Sequence, residues 1–476
     1  MKTYSNAILL ESGINFGTSG ARGLVEQFTD PVCAAFTLAF LSVMKQEFSV
    51  ERVALGIDRR PSSPSMAAAC AAAAADLGVT VDYYGVLPTP AVALQAMQDG
   101  IPAIVITGSH IPFDRNGIKF YRPDGEISKA DEQAILQAEV EVKPVQSVLP
   151  GESARARQLY MERYTQLFAP DLLQGKRIGL YEHSAAGREL NAEVLKKLGA
   201  EVISLGRTDT FVPIDTEAVS EEDQQQALAW SSEYELDAIF STDGDGDRPL
   251  VADEHGQWLR GDILGLLCAR ALDIQALAVP VSCNTAIEKS DLFAEVKRTR
   301  IGSPYVIEGM AVLAERFERV AGFEANGGFL LQSAVAMGAA IIAPLPTRDA
   351  LLPALMLLAG SALQGKPISA LLAELPERFT ASDRIKDVPT DKSKALIVSW
   401  AENLNAMLES LHLPGEAVSA DTTDGLRVTL SSGDIVHLRP SGNAPELRCY
   451  AEAGNYLQAK ALVNQCLECV SKIINT

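Results

Sequence analysis

The chain has 476 residues, 47 % of them apolar and 21 % charged, and its 41 basic side chains face 61 acidic ones for a net charge of −20. That length holds about three domains, with four possible, and the composition is that of an ordinary globular protein. The acidic balance argues against a nucleic-acid or anionic-membrane binder and confines any anionic substrate to a locally basic pocket.

The N-terminal MKTYSNAILLESG is too short and too soon interrupted by Glu11 to read as a secretory signal. No run of about 18 apolar residues predicts a membrane span. From residue 53 the pattern alternates. VALGI reads as a strand, PSMAAACAAAAADLG as a helix, VTVDYYG as a strand, AVALQAMQDG as a helix and AIVIT as a further strand. Such βαβ alternation implies a mainly parallel sheet. A second unit follows in KRIGLY, GRELNAEVLKKLG, AEVISLG, SEEDQQQALAWSSEY and LDAIFST. A third begins near 259 with DILGLLCARALD, ALAVPVSC, a helix over 304–318 and RVAGFE. Beyond about 375, ERFTASDRIKDV, LRVTLSSGDIVHLRP and ELRCYAEA alternate as an antiparallel sheet with flanking helices. The expected fold is α/β: three related mixed α/β domains around a central cleft plus a smaller C-terminal α+β domain. The expected boundaries are 1–150, 151–255, 256–373 and 374–476.

The seven cysteines, Cys33, Cys70, Cys268, Cys283, Cys449, Cys466 and Cys469, are dispersed and odd in number. They predict reduced thiols and a cytoplasmic protein. Cys466 and Cys469 form a CxxC, but it lies in a helix-periodic segment without a second pair, so two ordinary helix residues are expected.

Four short loops carry the possible chemistry. In TGSHIPFDRNGIKFY a buried strand delivers Ser109 and His110 side by side, and Lys119 follows the serine by ten residues. Alone, this pair could equally cap the next element. In STDGDGDRPL, Asp243, Asp245 and Asp247 alternate with glycines, and Arg248 follows. Three carboxylates so close repel one another unless a cation joins them, and an all-oxygen set favours magnesium or calcium. An EF-hand reading has its acids at the right spacing but places Arg248 where glycine is required, and a strand precedes the loop. NFGTSGARGL offers backbone amides at Gly17, Gly20 and Gly23 with Arg22, a nest for an anion or an ordinary turn. HLRPSGNAPELR gathers Arg439, Ser441, Gly442, Asn443 and Arg448, a set suited to a phosphate dianion or otherwise a hairpin with a basic rim. A serine beside a metal loop and a lysine is equipped to carry a phosphoryl group.

Together TGSHIPFDRNGIKFY, DGDGDRP, GFEANGG and RPSGNAPELR resemble the α-D-phosphohexomutase family, in its order and spacing and over nearly the whole chain. The resemblance, to the bacterial phosphomannomutase/phosphoglucomutase type, implies four domains around a cleft and a reversible transfer of phosphate between O6 and O1 of a hexose. It implies that Ser109 is phosphorylated in the resting enzyme and that a hexose 1,6-bisphosphate forms. It implies one magnesium ion held by phosphorylated Ser109, Asp243, Asp245 and Asp247. Arg22, His110 and Lys119 become candidates for proton transfer and phosphate stabilisation, and Arg248 orients the phosphoryl group. Arg439, Ser441, Gly442 and Asn443 clamp the distal phosphate, with Arg448 beyond. Glu324, Asn326 and Ser303 become the substrate-binding residues, with Glu324 on the sugar hydroxyls. A trace of glucose 1,6-bisphosphate or mannose 1,6-bisphosphate serves as primer, and the only implied partner is the small phosphosugar, to a monomer or homodimer.

The sugar loop departs from the usual GEMSGH or GEQSGH: Asn326 stands where serine is usual and Gly328 where histidine is usual. Ser303-Pro304 replaces a charged or histidine side chain, Ile111 a common asparagine and Ala444 a Thr or Glu. The expected substrate is mannose 6-phosphate with mannose 1-phosphate. Glucose phosphate and glucosamine phosphate are the alternatives, and a non-catalytic phosphosugar-binding protein is the reading of another class.

Overall fold

The computed structural model describes residues 3–17, 20–144, 146–441 and 446–474. One sheet topology occurs three times. The first copy runs Arg52–Ile57, Thr80–Val86, Ala103–Ile106 and Arg115–Arg122 in chain order; the second runs Arg177–Tyr181, Glu201–Leu205, Ala238–Thr242 and Pro249–Ala252; the third runs Ala276–Pro280, Glu295–Thr299, Val320–Phe323 and Phe329–Leu331. In every copy the spatial order is second, first, third, fourth. The first three strands pair in parallel and the fourth returns antiparallel to the third. Ala21–Leu24 extends the first sheet beyond Arg115–Arg122, and Leu345–Asp349 extends the third beyond Phe329–Leu331.

The third strands, AIVI, AIFST and VAGF, are buried along their whole length. Continuous apolar runs are what a parallel strand covered on both faces requires. The tight return from third to fourth strand therefore cannot continue the apolar pattern. It carries residues 107–114 in the first copy, 243–248 in the second and 324–328 in the third. These are the serine, aspartate and sugar loops.

The third-unit helix spans Ser303–Ala314 rather than 304–318. Pro304 suits its first turn, where a missing N–H loses no bond. Past Ala314, Glu315, Arg316, Glu318 and Arg319 leave too little apolar face to continue. The C-terminal sheet is wholly antiparallel, in the order Phe379–Lys386, Glu446–Ala453, Ile435–Pro440, Leu426–Leu430 and Ala417–Asp421, with helices Thr390–Glu402 and Tyr456–Ile474. The three related α/β units and the smaller α+β unit read from the sequence are thus present.

One apolar cluster runs from Ala54 to Leu371 and joins the three α/β units, whereas the C-terminal unit has its own, from Ala381 to Val470. Cys466 is buried in that second core, on the helix, and all seven cysteines are free thiols. No helix among the described residues is long and apolar enough to cross a membrane.

Candidate active site

Ser109 follows the strand Ala103–Ile106 with φ at 53°, a left-handed backbone that costs a non-glycine residue about 1 kcal/mol or more. Neighbours hold it there. The Ser109 amide donates to Thr107 Oγ1 at 2.8 Å. The buried Arg60 guanidinium threads the loop, donating to the carbonyls of Ser109, Ile111, Pro112 and Arg115 at 2.6–3.0 Å. Its Nε pairs with buried Asp58 at 3.2 Å, and it lies over the Phe211 ring. Gly108 leaves room for it: a Cβ there would stand 2.7 Å from the guanidinium carbon. No sequence motif singles out Arg60 or Asp58, which lie in the run Asp58-Arg59-Arg60 just after the strand Arg52–Ile57.

The strained serine faces the aspartate loop. Ser109 Oγ donates to Asp243 Oδ2 at 2.6 Å. One carboxylate oxygen from each of Asp243, Asp245 and Asp247 lies within 4.8 Å of the others, and all three residues are buried. Burial, and then the Asp245 and Asp247 charges, push the Asp243 pKa well above the usual carboxylate range. Burial opposes ionisation of Asp245 as well, but the Lys119 ammonium and the Thr89 hydroxyl outweigh it and hold Asp245 far below that range. Asp245 Oδ1 and Asp247 Oδ1 are buried without a hydrogen-bond partner. A divalent cation fits this set: the donors are all oxygen, two are otherwise orphaned, and its charge relieves the repulsion. The flanking elements are strands, not the helices of an EF-hand.

Side chains from the first sheet complete the cluster. Lys119, on Arg115–Arg122, donates to Asp245 Oδ2 and Asp247 Oδ2, each at 2.6 Å. Thr89, at a helix start, donates its hydroxyl to Asp245 at 2.7 Å. Arg248 Nη1 lies 2.7 Å from His110 Nδ1. Burial first, then the Arg248 charge, push the His110 pKa well below its ordinary value, so the ring is neutral and its Nδ1 accepts from Arg248. Ser109 Oγ stands 3.4 Å from the same nitrogen. Arg22 enters from strand Ala21–Leu24 over Gly117, where a Cβ would meet the Thr107 carbonyl at 2.8 Å. Burial, with Arg248 and Arg348 close by, brings the Arg22 pKa down to about 10.

In the sugar loop Glu324 and Asn326 are both buried, and Gly328 N donates to Asn326 Oδ1 at 3.0 Å. Ser303 does not project from this loop. It opens the helix Ser303–Ala314, is fully buried, and donates to Glu126 Oε2 at 2.7 Å. On the C-terminal sheet Arg439 and Arg448 are direct cross-strand partners, with Arg384 opposite Arg448 on the other side. Like charges facing across a ladder repel. Arg439 Nε forms an ion pair with Asp424 Oδ1 at 2.9 Å outside hydrogen-bond geometry, and the buried Nε of Arg448 makes no hydrogen bond. Such a pair is arranged for an anion. Ser441 is buried at the strand end, while Gly442 and Asn443 lie outside the described residues, as does Ala444.

Three copies of one sheet, each turning a reactive loop toward the others, with a basic hairpin on a fourth unit, define a member of the phosphohexomutase class. Profiles of the phosphoglucomutase/phosphomannomutase family match residues 13–143 and 158–256 as its alpha/beta/alpha domains I and II, 260–379 as domain III and 373–468 as its C-terminal domain. The chain belongs to that family. It is 55 % identical over 471 residues to a phosphomannomutase of Salmonella muenchen, covering 98 % of each chain. It is 43 % identical over 464 residues to a phosphomannomutase of Sinorhizobium fredii, covering 95 % of this chain and 98 % of that one. Its fold matches a putative phosphomannomutase structure from Thermus thermophilus with a TM-score of 0.75 at 20 % identity, over 97 % of this chain and 99 % of that chain.

Proposed function

We propose that the chain is a hexose-phosphate mutase that interconverts mannose 6-phosphate and mannose 1-phosphate through phosphorylated Ser109 and a hexose 1,6-bisphosphate. The observation that carries this reading is the buried contact of Ser109 Oγ with Asp243, inside a three-aspartate cluster that Lys119 bridges. The two relatives above, both phosphomannomutases, support the choice of sugar.

In the forward half-reaction a sugar hydroxyl oxygen attacks the phosphorus of phospho-Ser109. The bond from phosphorus to Ser109 Oγ breaks, and the hydroxyl proton passes to a neighbouring base. The bisphosphate then presents its other phosphate, and Ser109 Oγ takes it back. Arg439 and Arg448 hold the phosphate that is not reacting, together with Ser441, Gly442 and Asn443. Glu324 and Asn326 bind sugar hydroxyls. Neutral His110 acts as an acceptor toward Arg248, which leaves the Arg248 guanidinium aimed at the phosphoryl site. Arg22, with its lowered pKa, and Lys119 face the transferred group as acids and charge stabilisers. Asp243, Asp245, Asp247 and the phosphoserine would hold magnesium, which when bound neutralises charge developing on the phosphoryl oxygens. Binding and orientation thus account for most of the catalysis this chemistry needs. The free thiols fit a reducing cytoplasm.

The test is turnover with magnesium and a trace of glucose 1,6-bisphosphate as primer. Mannose 1-phosphate, glucose 1-phosphate and glucosamine 1-phosphate are compared by kcat/KM. The highest value is expected for mannose 1-phosphate. The highest for glucosamine 1-phosphate would reassign the substrate, and silence with all three would refute the reading.

A further inference from the structure

Arg348 was not among the residues that the sequence motifs singled out, yet its side chain occupies the junction of the aspartate and sugar loops. It lies on Leu345–Asp349, the strand that extends the third sheet. That strand end is anchored by its neighbour: Asp349 accepts hydrogen bonds from Tyr160, Tyr164 and the Leu351 amide. The Arg348 side chain is 2 % exposed. Its Nε and Nη2 donate to Asp247 Oδ2 at 3.1 and 3.0 Å. Its Nη1 donates to Glu324 Oε2 at 3.1 Å and to Ser303 Oγ at 3.3 Å. Ser303 in turn bonds Glu126, which also accepts from Thr347, the residue before Arg348.

Two further facts bear on this arrangement. A Cβ at Gly328 would stand 2.7 Å from both Cγ and Cδ of Arg348 and 3.0 Å from its Cβ. The glycine that replaces the usual loop histidine is therefore the space through which the arginine stem passes. Also, Glu324 Oε2 is taken by Arg348, with Asn326 Nδ2 at 3.5 Å, while Oε1 has no hydrogen bond to any described residue. One carboxylate oxygen is pinned and the other is left for a ligand.

We propose that Arg348 is the positioning residue for sugar recognition in this chain: its planar fork fixes Glu324 against Asp247, so that Glu324 Oε1 meets the hexose hydroxyls, and Gly328 admits it. The inference deepens the mutase reading and rests on it. A guanidinium suits the task because one rigid plane serves two carboxylates on different loops, which a lysine cannot do. Ser303 acts within the same network, orienting Arg348 and not the sugar.

The test is Arg348→Met and Arg348→Lys, beside Gly328→Ala, whose methyl group would press on the arginine stem. Two quantities are measured on each full-length variant: affinity for mannose 1-phosphate and glucose 1-phosphate by calorimetry, and kcat and KM for both sugars. Affinity for inorganic phosphate serves as the control for the clamp. For Arg348→Met, a tenfold or greater loss of sugar-phosphate affinity is expected. The mannose-to-glucose preference should fall at least threefold, with phosphate affinity unchanged. Arg348→Lys should recover the charge but less than half of the lost discrimination on a logarithmic scale, and Gly328→Ala should shift KM more than kcat. Equal sugar affinity and preference in Arg348→Met and the parent would overturn the proposal while leaving the mutase reading intact. If Arg348→Met does not fold, an unchanged KM in both other variants overturns it. A parent that binds both sugar phosphates but turns over neither would refute the mutase reading and leave the binding comparison decisive for Arg348.

Discussion

Replacing Arg60 with methionine keeps an unbranched stem but removes the fork that holds the serine loop. Four carbonyls lose a donor, and Asp58 loses its cation. The Pro112 and Arg115 carbonyls belong to exposed residues and Ile111 is half-buried, so water can serve them. The loss concentrates on the buried Ser109 carbonyl, about 1–3 kcal/mol for an unsatisfied buried group, and on Asp58, about 3–5 kcal/mol for a broken buried pair. The sum, about 4–8 kcal/mol, exceeds the cost of about 1–3 kcal/mol for the strained φ of Ser109. The expected result is therefore a loosened loop in a folded chain, since the apolar cores are untouched. A displacement of about 1 Å at a reacting atom lowers turnover by about a hundredfold. The assay is kcat at saturating hexose phosphate, paired with the rate of limited proteolysis within 109–115. Turnover within threefold of the parent, with an unchanged cleavage rate, would refute the assignment of Arg60 as the anchor of the nucleophile.

Ser109→Ala should cut turnover by at least about a thousandfold while sugar-phosphate affinity persists, and undiminished turnover would remove the serine from the mechanism. Asp245→Asn should weaken magnesium binding measured by calorimetry while the chain stays folded, and unaltered magnesium affinity would place the metal elsewhere. Arg439→Ala should weaken substrate binding by about 2–3 kcal/mol through a lost charged hydrogen bond; an unaltered KM would relocate the clamp. Burial brings the pKa of both His183 and His437 down to about 4. Below about 6.5 the unfolded chain binds protons that the folded one refuses, so stability is full above that pH and falls as the pH drops toward 4. Each histidine accounts for about 3 kcal/mol at pH 4. His437→Gln should flatten the fall of melting temperature over that range, and an equal slope would refute the coupling.

The loops were legible because their chemistry is local. Three aspartates within five residues, or Ser109 ten residues before Lys119, are recorded in the order of the chain. The strands that hold them were legible because AIVI and AIFST are apolar throughout. The tie from Arg60 to the serine loop, from Thr89 to Asp245 and from Arg348 to Asp247 spans 49, 156 and 101 residues. Such contacts leave no periodicity or spacing in a single sequence; only the folded topology brings them together. Ser303 shows the converse. The family resemblance implies that it binds the sugar, but its hydroxyl is turned to Glu126 and Arg348, a direction that no local pattern encodes.

The division of the apolar clusters also governs timing. Besides their own cores, the three α/β units contribute to one common apolar cluster, so relative motion among them would have to open that packing. The C-terminal unit meets them through polar contacts, such as Glu452 with Thr285, the Asn284 amide on the Arg378 carbonyl, and Asp424 on the Ile301 amide. Polar contacts of this kind can exchange for water when a unit moves, which a continuous apolar interior cannot do. On the proposed mechanism the serine, aspartate and sugar loops keep their mutual geometry, and the arginine hairpin is the part expected to let go. If a bisphosphate forms as proposed, the lifetime of those few polar contacts would set how long it stays captive and whether it reorients before it escapes.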